Sequence, residues 1–213
     1  VTLAPLLVIF FISPTLVEVI NDGDNDGDND GDNDIPILVL EPRTCSNLSN
    51  GAVTLEGKIA ANELDSAMIK YGFVKLAYPK PETHDASLSA LLGAADVFFS
   101  KPQQFKDQYT FGDYGNDKGG YTSIGVESVN PNSGKKDSVQ NYVFRDDSVV
   151  DHHNPELAKP AVAYFREMAR LTRCLNSLSS LALDLPLQKF NEVTFPSSPS
   201  DKNGLALRIA KYE

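Results

Sequence analysis

From Asp22 to Asp34 every second residue is aspartate, and only glycine and asparagine come between. A segment with no apolar side chain and a charge at alternate positions has nothing to bury that would offset the entropy lost on ordering. It therefore cannot lie inside a folded domain. The run divides the chain into an apolar stretch, residues 1–20, an acidic low-complexity linker, 21–34, and a globular part, 35–213. Much of the formal net charge of −10 comes from this linker. That charge repels a phosphate backbone, and no stripe of lysine and arginine interleaved with aromatics offsets it, so nucleic acid is not an expected partner.

Asp22, Asp24, Asp26 and Gly27 match the opening of a calcium-binding loop. The twelfth position of such a loop is Asn33, where a bidentate glutamate is needed, and no helical pattern flanks it. A solvated linker is the expectation. The apolar stretch centres on Leu6, Leu7, Val8, Ile9, Phe10, Phe11 and Ile12, and is interrupted by Pro5, Pro14 and Glu18. Three readings compete for it: a signal peptide without its basic start, a membrane anchor shortened by the prolines, or a segment outside the mature fold. A membrane partner is not expected.

In the globular part, Ile35 to Leu40 is a short apolar run that predicts a first strand. Leu55, Ile59, Ala60, Leu64, Ala67 and Met68 recur at helical spacing over 54–70, with Gly72 at the end. A second strand follows at 73–76, a second helix over 86–98, and a helical turn through Phe105 and Tyr109. Residues 111–138 are rich in Gly, Asn, Ser and Asp, which predicts loops around an extended piece at 121–129. The longest helix is expected to start near Pro160, where a missing N–H is harmless, with Val162, Phe165, Met168, Leu171, Leu175, Leu178 and Ala182 along one apolar face. Pro186 stops it. A short helix at 187–192 and a last strand at 205–212 complete the order.

Cys45 and Cys174 have neither zinc-knuckle nor redox-pair spacing. Cys174 falls on the apolar stripe of the long helix, so a small core residue is expected there and no disulfide framework is implied. Asp151-His152-His153 could chelate a metal, but its place in a loop before Asn154-Pro155 predicts a solvated turn.

Several landmarks then recur in order. They are Ile35-Pro36-Ile37, Tyr71-Gly72-Phe73, Phe98-Phe99 with Ser100, Pro102 and Lys106, Gly120-Tyr121 with Gly125 and Glu127, Asn141-Tyr142-Val143-Phe144, and Asn154-Pro155-Glu156. Over 35–212 the chain resembles the N-terminal region of the isopenicillin N synthase-like non-haem iron dioxygenases. The resemblance implies an α+β chain that forms the N-terminal helical and strand portion of a double-stranded β-helix, or jelly roll, with its core incomplete. The expected cofactors of the complete protein are Fe(II) and 2-oxoglutarate, and its partner is a small-molecule substrate. O₂ would be activated at the iron, and 2-oxoglutarate decarboxylated to succinate, while a C–H bond is oxidised. A two-histidine, one-carboxylate set would hold that iron.

The family's His-x-Asp motif, its distal histidine and its Arg-x-Ser are absent, since the only histidines are His84, His152 and His153 and none has Asp or Glu two residues later. No catalytic or metal-binding residue is therefore assigned, and this chain is expected to bind neither cofactor alone. Four positions carry over as substrate- or cosubstrate-binding: Tyr212 toward a bound carboxylate, Arg208 as a pocket-lining base, and Tyr142 and Phe144 as substrate-facing aromatics. Each has a bland alternative, Tyr142 and Phe144 as core and Arg208 as a surface charge. The pattern departs from the family at Ala210 and Glu213, where Asn and Pro are usual, and at Leu38-Val39-Leu40, where Ile-Asp-Leu is common. Val162, Phe165 and Leu175 would face sheet residues that the chain lacks, so exposed apolar surface is expected along the long helix. A non-catalytic binding protein of the same lineage is the alternative function. The resemblance implies a cytoplasmic location, with the secretory pathway as the alternative if residues 1–20 belong to a signal peptide.

Overall fold

The computed structural model describes residues 36–77, 81–110, 119–127, 137–145, 153–195 and 205–212, with backbone only for 81–85. The apolar stretch, the acidic linker, Asp151 and His152 lie outside the described residues. In chain order the elements are β1 (Ile37–Val39), α1 (Pro42–Ser49), α2 (Leu55–Tyr71), β2 (Lys75–Ala77), α3 (Pro81–Phe99), α4 (Gln103–Lys106), a 3-10 turn (Asp107–Tyr109), β3 (Gly119–Thr122), β4 (Val139–Phe144), α5 (Pro155–Ala182), α6 (Lys189–Thr194) and β5 (Leu207–Tyr212). Helix and sheet are mixed, and the chain divides into two compact units.

One unit falls within 82–170 and 193–213. Its sheet is antiparallel in the order β3-β4-β5. The register pairs Tyr121 with Tyr142 and Tyr142 with Ile209, so these three side chains share a face. That face is buried with Phe98 and Phe99 of α3, and Phe98 meets Tyr142 edge to face at 5.0 Å. Gly119 pairs with Phe144 at the start of β3 with φ of +77°, and a Cβ there would come within 2.2 Å of the Val143 carbonyl oxygen. Only glycine fits that approach. The extended piece expected at 121–129 thus begins two residues earlier and ends at Thr122; Gly125 and Val126 form turns instead.

Helix α5 starts at Pro155 rather than Pro160. The buried Asn154 side chain accepts the Leu157 N–H at 3.0 Å, which is an N-cap, and Pro155 takes the first helical position. Pro160 lies inside the helix, where it removes the N–H that would bond the Glu156 carbonyl. Two prolines competed for one start, and the capping side chain decided between them. Phe165 is buried within the chain, contrary to the exposed stripe expected of it, whereas Val162 and Leu175 are half-buried.

The other unit falls within 14–81 and 171–192. Strands β1 and β2 pair in parallel, Leu38 opposite Leu76. The Thr54 hydroxyl caps α2 by accepting the Gly57 N–H at 3.2 Å, and Gly72 closes it in the left-handed conformation at φ of +76°. Helix α1 was not anticipated; Pro42 opens it, and its buried Leu48 anchors it. Cys45 on α1 and Cys174 on α5 form a disulfide, which corrects the reading of Cys174 as a core thiol. Pairing across 129 residues leaves no mark in local spacing, and its partner lay on a helix that the sequence did not announce.

Candidate functional site

Strand alternation splits the four candidate residues between the two faces of the β3-β4-β5 sheet. Tyr142 and Phe144 lie opposite Ile209 and Leu207, whereas Arg208 lies opposite Val143 and Tyr212 opposite Val139. The first pair and the second pair therefore point to opposite sides.

The Tyr142 face is an aromatic core with a polar seam. Tyr142 stacks on Phe144 at 4.8 Å, and His153 packs on Phe144 at 4.6 Å. The Tyr142 hydroxyl accepts the Asn154 N–H at 3.3 Å and lies 3.0 Å from His153 Nδ1. Burial pushes the Tyr142 hydroxyl well above the usual tyrosine range, so it keeps its proton, and which partner donates in the bond to His153 Nδ1 follows the histidine tautomer. His153 is thus a buried hydrogen-bonding partner, not part of the solvated turn expected for it; the apolar wall of Phe144 and the tyrosine hydroxyl draw it inward. Lys106, also buried, donates to the Phe99 carbonyl at 3.2 Å and to Gln140 Oε1 at 2.8 Å, and lies 5.4 Å from the Tyr121 ring centroid. A cation there complements the carbonyl end of α3.

The other face carries a polar cluster. Glu127 bridges two strands with its two carboxylate oxygens: Oε1 accepts from Asn141 Nδ2 at 2.9 Å on β4, and Oε2 accepts from the Arg208 guanidinium at 2.5 Å on β5. Asn141 is 0% exposed and the Arg208 side chain 26%. Asn141 Oδ1 and Arg208 Nε are buried without a hydrogen-bond partner among the described residues. Tyr212, on the same face at the end of β5, is 69% exposed. Sequence reasoning named Arg208 and Tyr212 as binding residues and read Asn141 and Glu127 only as landmarks. The available signal was parity: Asn141 is the polar residue out of phase with Tyr142 and Phe144 on one strand.

An open groove of about 630 Å³ in the other unit is lined by Ile37 and Val39 of β1 and by Ile59, Glu63, Lys70 and Tyr71 of α2. Among the described residues no group of three His, Cys, Asp or Glu could hold a metal ion, so they do not fit an iron site. No helix among them is long and apolar enough to cross a membrane.

No protein-family model matches the chain, and no curated protein does either. The structure is similar to crystal structures of a full-length Neurospora crassa protein solved in complex with alpha-KG. The complex with alpha-KG alone gives a TM-score of 0.56 at 17% identity, covering 84% of this chain and 54% of that one. The complex with alpha-KG and thymine gives 0.55 at 17% identity, covering 84% and 55%. At this identity the likeness is one of fold. The chain spans about half the length of the structures that it matches.

Proposed function

We propose that the chain is the N-terminal part of an Fe(II)- and 2-oxoglutarate-dependent oxygenase of the isopenicillin N synthase-like family, acting on a small molecule. The observation that carries this reading is the fold likeness to the Neurospora crassa protein, which was solved with alpha-KG, over 84% of the chain. The ordered landmarks from Ile35-Pro36-Ile37 to Tyr212 support it. So does the sheet, because β5 ends the order β3-β4-β5 and its outer edge has no partner among the described residues. An unpaired edge is where a jelly roll would continue.

On this reading the described residues support and line the substrate side and leave the iron to other residues. Iron and 2-oxoglutarate, when bound in the complete protein, supply the oxidation of a C–H bond with loss of CO₂ from the cosubstrate. Arg208 and Tyr212 orient small molecules from one face of the sheet, and Tyr142 and Phe144 hold that sheet from behind. The test is succinate formation from 2-oxoglutarate by the full-length gene product with Fe(II) and O₂. Turnover that stops on iron chelation is expected; none with any small-molecule substrate would overturn the reading.

The Cys45–Cys174 bond favours the secretory alternative over a cytoplasmic location, since disulfides persist mainly in oxidising compartments. Non-reducing alkylation of protein isolated from its source should find both cysteines blocked. Two free thiols there would favour the cytoplasm.

A further inference from the structure

The face of the sheet that carries Arg208 contains two hydrogen-bonding atoms with no partner among the described residues. Asn141 Nδ2 donates to Glu127, which fixes the amide orientation and leaves Oδ1, an acceptor, unpartnered and buried. The Arg208 guanidinium is ion-paired with the other oxygen of the same carboxylate, and its Nε–H, a donor, is likewise buried and unpartnered. Unmet groups of this kind are rare in folded proteins, and each costs on the order of the desolvation of a polar atom. One carboxylate holds both side chains, so the open acceptor and the open donor belong to a single cluster on neighbouring strands. Charge in that cluster is already balanced, because Glu127 cancels Arg208.

We propose that Asn141, Arg208 and Glu127 form a binding subsite for a neutral group that presents an N–H beside a C=O, as an amide or lactam edge does. The ligand N–H would donate to Asn141 Oδ1, and its carbonyl would accept from Arg208 Nε. A carboxylate fits worse on both counts, since it offers two acceptors to one donor and meets the negative charge of Glu127. Asn141 is fully buried while the Arg208 side chain is 26% exposed, so the ligand would reach the cluster from the Arg208 side with the Glu127 pairing retained. The inference rests on the reading of this face as the substrate side and deepens it by naming the class of group bound.

The experiment is a titration of the 15N-labelled 213-residue chain with 2-pyridone, a cyclic amide, and with benzoate, a carboxylate of similar size. The readouts are the Arg208 Nε–H and Asn141 side-chain amide signals, assigned by through-bond correlation in the unsubstituted chain. The expected result is a saturable shift of both signals by 2-pyridone but not by benzoate, with about tenfold weaker binding in Asn141→Ala. If benzoate moves the signals as readily, the cluster is an anion site and the proposal is wrong. It is equally wrong if neither compound moves them. The titration on the unsubstituted chain stands even if a variant does not fold. It needs neither iron nor 2-oxoglutarate, so failure here with succinate turnover in the full-length product overturns this inference alone. Amide binding without any such turnover overturns the oxygenase reading alone.

Discussion

Breaking the Cys45–Cys174 bond should lower the stability of the folded chain. The bond closes a loop of 129 residues, and chain-entropy arguments for a loop of that length give about 5 kcal/mol at room temperature. Measured effects run lower, about 2–4 kcal/mol, because the reduced chain keeps residual structure. Cys174 is buried, so replacing it also leaves a small void, whereas half-buried Cys45 adds little. The paired variant Cys45→Ala with Cys174→Ala should therefore unfold at a urea concentration lower by roughly 1–2 M, taking about 3 kcal/mol over a slope of about 2 kcal/mol per molar. The assay is urea unfolding followed by far-ultraviolet circular dichroism, with and without dithiothreitol. Reductant should move the parent chain most of the way to the midpoint of the variant, the remainder being the Cys174 void, and leave the variant unchanged. An unmoved parent midpoint, or two alkylatable thiols in the native unreduced chain, would refute the reasoning.

Lys106→Ala removes an ammonium that joins the α3 carbonyl end to Gln140, and it leaves a void beside Tyr121; a loss of about 2–4 kcal/mol in urea unfolding is expected, and a loss within error would refute it. Asn154→Ala deletes the cap of α5 and should cost about 1–2 kcal/mol by the same assay, while Asn154→Asp should retain most of the stability; equal losses would contradict a capping role. Burial, with a smaller contribution from the Glu167 charge, pushes the Tyr164 hydroxyl up from 10.0 to about 12, and Tyr142 moves the same way. The unfolded chain then releases protons that the folded chain retains, so stability is complete below pH 10 and falls between pH 10 and 12 by about 1.4 kcal/mol per pH unit for each such tyrosine. A urea midpoint that stays level across this window, with every tyrosine ionising near pH 10 by absorbance, would refute it.

Elements with a strong local period were legible. Helix α2 announces itself through Leu64 and Ala67 on one stripe, with Gly72 at its end, and β5 through alternation of Leu207 and Ile209 with Arg208 and Ala210. Helix α1 was not legible, because PRTCSNLS places only Thr44 and Leu48 in the interior and has no apolar period to detect. The α5 start was misread because a proline says only that a helix can begin there, while the Asn154 cap requires it to. The candidate site shows the same limit. Alternation within β4 puts Asn141 out of phase with Tyr142, yet which of the two shares a face with Arg208 depends on register. A slip of one residue would exchange them. The contact between Glu127 and Arg208 spans 81 residues, so it follows from the sheet and not from any local pattern.

The proposal that this chain is the N-terminal part of an iron-dependent oxygenase is tested most directly by the sequence of the transcript past the codon for Glu213. An open frame that continues into a His-x-Asp segment, a distal histidine and an Arg-x-Ser is the expected result. A stop codon directly after Glu213, or a continuing frame without those residues, would contradict it.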